Sequence, residues 1–223
     1  LPFLDVARVD LGQNADPDTV FAIFEGAGVA RFADGRWDLW HSRSWLPSRK
    51  VHAATTTADG SLWFGTEAGI GQVFLETMSL EEKARVLEEG TASRHDRFGY
   101  FSPTNLQIPG DVASGVTRDD DNDGQWTAMW LAALAFEYAV TKDDVTKGRA
   151  RAASQALRFL EEVTPRPGFI ARSVMAIADC EPKLTQDPAL VGEWHTSENG
   201  DWCWKGDTSN DEVLGHIYGQ LLY

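Results

Sequence analysis

Two segments near the start of this 223-residue chain repeat each other at a spacing of about thirty residues, and that self-similarity constrains the fold more than any other feature. The first runs Val20-Phe21-Ala22-Ile23-Phe24, then Gly28-Val29-Ala30-Arg31-Phe32, then Asp34-Gly35-Arg36-Trp37. The second keeps the order, with Val51-His52-Ala53-Ala54, Asp59-Gly60-Ser61-Leu62-Trp63-Phe64-Gly65-Thr66 and Gly69-Ile70-Gly71-Gln72-Val73-Phe74. Asp-Gly supplies the positive φ of a tight hairpin turn, and the apolar runs on either side have the length and β-branched or aromatic content of strands. The region therefore reads as two successive antiparallel units.

The run from Asp59 to Ile70 resembles the blade motif of the β-propeller repeats in bacterial two-component sensor ectodomains. The likeness spans residues 20–75, roughly two blades, whereas a closed propeller takes four or more. It implies either further blades before this segment or a small sheet packed on the domain that follows.

Beyond Phe74 the texture changes. Ser79-Leu80-Glu81-Glu82 fits a capping box and Gly90 sits where a C-cap belongs, which predicts a helix of about ten residues and a domain boundary near residue 76. A second helix is expected from Asp123 to Thr141, with Trp126, Trp130, Leu131, Leu134 and Tyr138 near one face. A third is expected from Asp143 to Val163, burying Val145, Ala152, Ala156, Phe159 and Leu160 and ended by Pro165 and Pro167. A last helix opens at Ser209-Asn210-Asp211-Glu212 and reaches Tyr223 without a stop signal. The expected class is α+β: propeller-like repeats over 1–76, then a mainly helical, (α/α) toroid-like domain over 77–223, incomplete at its C-terminal end.

Composition narrows the partners. Thirty-four acidic against 20 basic residues give a net charge of −14, which opposes a nucleic-acid backbone and supplies no basic stripe. No apolar run approaches the roughly 18 residues of a membrane span. Any signal peptide would lie upstream of Leu1. Cys180 and Cys203 form one bridge in an oxidising compartment or stay as two buried thiols.

Four clusters carry candidate chemistry. Asp119, Asp121 and Asp123 alternate before Gly124, as hard oxygen ligands for Ca²⁺ do, but the twelfth position of an EF-hand loop would be Trp130, not Glu. The same loop also reads as a helix cap, or as a catalytic carboxylate at a helix mouth with Trp126 and Trp130 one and two turns beyond. Glu193-Trp194-His195 and Trp202-Cys203-Trp204-Lys205 combine three of the nine tryptophans with charged groups. That mixture suits a glycan cleft, in which indoles stack on sugar rings, and equally a core plug. Glu212 and His216 share a helical face as an ion pair, a ligand pair or a structural contact, with Asp207 and Asp211 as neighbouring carboxylates. Arg94, His95, Arg97 and Tyr100 form a fourth group, either substrate-binding or the edge of a salt-bridged strand.

No nucleotide loop, nucleophile elbow, zincin helix or Cys-x-x-Cys pair occurs. In texture rather than through a diagnostic motif, the second half resembles the α/α-toroid enzymes that hydrolyse or eliminate uronic-acid-containing polysaccharides. The resemblance implies an extracellular or periplasmic glycoside hydrolase or polysaccharide lyase. Catalysis would come from Asp121, Asp207, Asp211, His216 and Tyr100, and substrate contacts from Arg94, His95, Arg97, Trp126, Trp130, Trp194, His195, Trp202, Trp204 and Lys205. Calcium is the one cofactor suggested, the partner is a saccharide, and the oligomeric state is left open. The rival expectation is a non-catalytic glycan-binding or sensor ectodomain.

Overall fold

The computed structural model describes residues 5–12, 18–41, 45–108, 111–186 and 193–223. Residues 42–44, inside the repeat region read above, lie outside this set. The chain is α+β and divides into two compact units, Leu1–Ser79 and Leu80–Tyr223.

The first unit is all antiparallel. Strands β1 (Val6–Leu11), β2 (Val20–Phe24), β3 (Gly28–Ala33) and β4 (Arg36–Trp40) form a meander in chain order, and β5 (Val51–Thr56), β6 (Leu62–Thr66) and β7 (Gly69–Val73) form a second. Asp34 and Gly35 both hold positive φ, 50° and 75°, as the turn between β3 and β4 requires. At Gly28 a Cβ would lie 2.2 Å from the Trp40 carbonyl oxygen, so the return of β4 depends on the missing side chain. The inward residues of both sheets, Phe21, Ile23, Val29, Trp40, Leu62 and Phe64 among them, share one core. Both sheets are open among the described residues.

The second unit holds five α-helices among its described residues. Helix α1 (Leu80–His95) leads into a hairpin of β8 (Asp96–Arg97) and β9 (Tyr100–Phe101), then β10 (Thr104–Leu106) pairs with β11 (Gly115–Thr117). Helix α2 (Asp123–Thr141) packs on α3 (Asp144–Glu162) through Ala128, Leu131, Leu134, Ala150, Ala153 and Leu157. A small sheet of β12 (Val174–Ala176), β14 (Trp202–Lys205) and β13 (Trp194–Thr196), in that order, carries α4 (Ile177–Gln186). Helix α5 (Asn210–Leu222) lies against α2.

Helix α1 is longer than expected. Gly90 has no positive φ and the helix runs through it, the Arg94 guanidinium folding back so that its Nε donates to the Gly90 carbonyl at 3.0 Å. The buried stripe of α3 meets the expected face at Ala156 and Leu160 and departs from it earlier: Val145 is 60% exposed and Ala152 is exposed, while Thr146, Ala150 and Ala153 are buried. Small residues, Ala150 and Ala153 beside Leu157, permit close approach where this face meets α2. The α2–α5 seam repeats this device, since a Cβ at Gly219 would fall 2.8 Å from the Ala128 carbonyl oxygen and one at Gly215 would fall 3.1 Å from Gln125 Cα.

The turn joining β8 and β9 is strained. Phe98 and Gly99 hold φ of 58° and 89°. For a bulky residue the left-handed conformation costs roughly 1–2 kcal/mol.

Candidate functional site

The segments that enter α2 and α5 meet at one end of the second unit and bring most of the chain's reactive side chains together. Arg172 ties the two. Its Nε donates to the Asp121 carbonyl at 2.7 Å, and its other nitrogen reaches the Asp207 carbonyl at 3.2 Å and the Asp207 carboxylate at 3.5 Å. Lys205, on β14, donates to Asp121 at 2.5 Å and lies 3.1 Å from the Glu193 carboxylate. Partial burial pulls Asp121 upward, but the Lys205 hydrogen bond and charge, with Arg172 and Lys183 behind, outweigh it and hold the carboxyl below its ordinary value. Asp211, exposed, accepts from the Ser209 hydroxyl, which holds it low as well.

Beneath this exposed layer lies a buried one. Glu212, fully buried, accepts from the Gln125 backbone N–H at 3.0 Å and so caps the start of α2 from another helix, where Asn122 gives no side-chain cap. Its other oxygen, and Nε2 of the buried His216 one turn on, have no protein partner. Both side chains fill the space over Gly124: a Cβ there would stand 2.4 Å from Glu212 Oε2 and 2.5 Å from His216 Nε2. Burial pushes the Glu212 carboxyl up to about 8 and the His216 imidazole down to about 4, so both are neutral at pH 7.

Asp123 opens α2 and is completely buried. It pairs with the Arg97 guanidinium, which also donates to the Val174 carbonyl at 2.7 Å, and accepts from Ser102 at 2.7 Å and from Ser173. Burial raises its carboxyl, and Arg97 and the two hydroxyls pull against that. The pair locks the β8–β9 hairpin to α2.

The carboxylates of the calcium expectation are already engaged. Each of the three alternating carboxylates has a different cation: Asp119 pairs with Lys183 at 2.5 Å, Asp121 with Lys205, and Asp123 with Arg97. Among the described residues no group of three or more His, Cys, Asp or Glu side chains is placed to hold a metal. The residues do not fit a Ca²⁺ ion as arranged, because alternate positions that converge in an open loop diverge once the loop turns into a helix at Asp123.

The remaining expected residues separate. Tyr100 is buried and donates its hydroxyl to the Ala156 carbonyl at 2.7 Å; burial raises it above the ordinary phenol value, which leaves it occupied as a core donor. His95 lies with its Nδ1 3.0 Å from the Ser102 carbonyl and its ring against Phe101, and Arg94 is occupied with α1 itself. Trp194 is buried beside the Cys180–Cys203 disulfide, with the Lys183 ammonium 4.9 Å from its ring centre. Trp204 lies against His195, ring centroids 4.4 Å apart and planes tilted by 33°, next to Lys205. Trp130 stacks on Phe101, and Trp126 is 38% exposed on α2. Trp202 lines a groove with Phe159, described below.

Arg172 and Glu193 complete the exposed layer, and Glu212 is the carboxyl with the largest upward displacement. Glu212 had a sequence signal, its spacing to His216. Arg172 had none, since nothing near it in the chain shows that it reaches residues 121 and 207.

Comparison with protein-family models, with curated proteins and with solved structures gives no match in any of the three.

Proposed function

We infer that the second unit is a carbohydrate-active enzyme, a glycoside hydrolase working by carboxylate acid–base chemistry at the joined entrances of α2 and α5. One observation carries this reading. Around the first turn of α2 stand one exposed carboxyl held ionised, Asp121, and one buried carboxyl held protonated, Glu212. Two carboxyls driven apart by their surroundings are what proton donation to a leaving glycosidic oxygen and activation of water, or attack at the anomeric carbon, require. Lys205, Arg172 and His195 supply hydrogen-bond donors for hydroxyls around them. Hydrolysis is favoured over elimination because the Tyr100 hydroxyl that would abstract a proton is committed to the Ala156 carbonyl, away from Asp121 and Glu212.

The same reading takes the helices as part of an (α/α) toroid, with their loop ends forming the mouth, and the two β meanders as propeller-type blades serving as scaffold. The disulfide supports an extracellular or periplasmic location.

The test is turnover of a panel of neutral and uronic-acid polysaccharides, scored by new reducing ends and by absorbance of unsaturated products. Reducing ends without unsaturation, lost in Asp121→Asn and in Glu212→Gln, are expected. Unsaturated products, or full turnover in both variants, would overturn the assignment. A second reading, a non-catalytic glycan sensor, is favoured by the aromatic groove at Trp202, and binding with no turnover of any polymer would select it.

A further inference from the structure

Trp202 divides two adjoining concavities on the surface of the second unit, of about 620 and 480 Å³, which share Phe159 as well. Phe98 and Phe159 meet the Trp202 ring edge-on, with centroids 5.5 and 5.3 Å away. Phe98 is 58% exposed, and the chain holds it at a φ that glycine would adopt without strain. The ring packs on Trp202 and Arg97 yet leaves more than half of its surface open, at a turn position that by itself would favour Gly or Asn. Gln155 adds a neutral donor and acceptor in the smaller concavity, while the Asn199 amide in the larger is engaged by Ser197 and Asp201.

The charge around the groove is predominantly acidic. Glu161, Glu162 and Glu198 face Arg158 in the larger concavity, and Arg158 is paired with Glu162 at 3.2 Å; Asp96 lies in the smaller. No unpaired cation among these lining residues is available to a carboxylate ligand.

We propose that this groove is a glycan-binding subsite selective for neutral pyranosides over uronic-acid oligosaccharides, with Phe98 and Trp202 as its stacking platform. It rests on the reading of the unit as carbohydrate-active and narrows it, setting aside the uronate polymers that the sequence resemblance suggested. Aromatic faces take the apolar C–H face of a pyranose, the Gln155 amide takes a hydroxyl, and the acidic rim repels a carboxylate.

Titration calorimetry with neutral gluco-, xylo- and mannohexaose and with hexagalacturonate tests it, on wild type and Phe98→Gly. At least one neutral hexaose should bind at least tenfold more tightly than hexagalacturonate, and Phe98→Gly should weaken binding at least tenfold. The melting temperature of Phe98→Gly should be unchanged or raised, because the substitution relieves the turn; a purely structural Phe98 would lower it. Hexagalacturonate binding as tightly as every neutral hexaose, Phe98→Gly binding like wild type, or no binding of any neutral hexaose would overturn the proposal. Turnover without neutral binding would sink the subsite and leave the enzyme standing. Neutral binding without turnover of any polymer would do the reverse.

Discussion

Arg97→Met offers a measurable test of how the second unit is held together. Arg97 is 8% exposed and Asp123 is not exposed at all, so removing the guanidinium leaves a buried carboxylate with only two hydroxyls and a backbone N–H for partners. Breaking a buried pair from one side costs about 3–5 kcal/mol. For a unit of about 144 residues, an unfolding entropy near 2.1 cal/mol/K per residue makes each kcal/mol worth about 3 °C, so the melting temperature should fall by about 10–17 °C. Scanning calorimetry at pH 7 reads it. Asp123→Asn added to Arg97→Met removes the stranded charge and should recover more than half of the loss. A fall under 3 °C for the single variant, or a double variant no better than the single, would refute the claim that this pair clamps the hairpin to α2.

Four further outcomes follow from the same geometry. Gly124→Ala should destabilise the unit by about 1–3 kcal/mol by overpacking against Glu212 and His216, seen in chemical denaturation. The imidazole of His216 titrates near 4 in the folded chain against 6.5 unfolded, so stability is complete above about pH 6.5 and declines towards pH 4 by up to about 3 kcal/mol; His216→Gln should flatten that acid limb in melting-temperature scans. Glu212 moves the other way, from 4.5 to about 8, so its contribution is complete below about pH 4.5 and declines as pH rises to 8; Glu212→Gln should gain relative to wild type across that window, and an unchanged alkaline limb would contradict the assignment. Cys180→Ser opens a link spanning 23 residues and should cost about 3 kcal/mol, read by urea denaturation of oxidised wild type beside the variant.

Local signals were legible and distant pairings were not. The strands from Val20 to Val73, the Asp34-Gly35 turn and the span of α2 follow from turn chemistry and periodicity, which a single stretch of chain contains. The tryptophans show the limit. Trp202 and Trp204 point from β14 towards α3, while Cys203 between them faces Trp194 and Cys180 on the other side. Strand alternation decides which indole stays near the surface, and it takes effect only once β12, β13 and β14 have paired across about thirty residues. Asp123 belonged to the acidic loop by sequence, yet its partner Arg97 arrives from a hairpin 26 residues earlier. Two propensities pointed the wrong way: Gly90 carried a stop signal that the helix overrode, and Phe98 carried none of the composition of the turn it occupies.

The close seam between α2 and α5 also acts as a gauge. Asp121 lies just ahead of one helix and Asp207 just ahead of the other, Gly215 and Gly219 let the two backbones approach closely, and Gly124 leaves room for the Glu212 and His216 side chains between them. The spacing of the two helices is therefore set by absent methyl groups, at positions that bear no reactive atom. Exchanging glycine for alanine along the seam would push the two helix entrances apart, and with them Asp121 and Asp207, while every charged group keeps its identity.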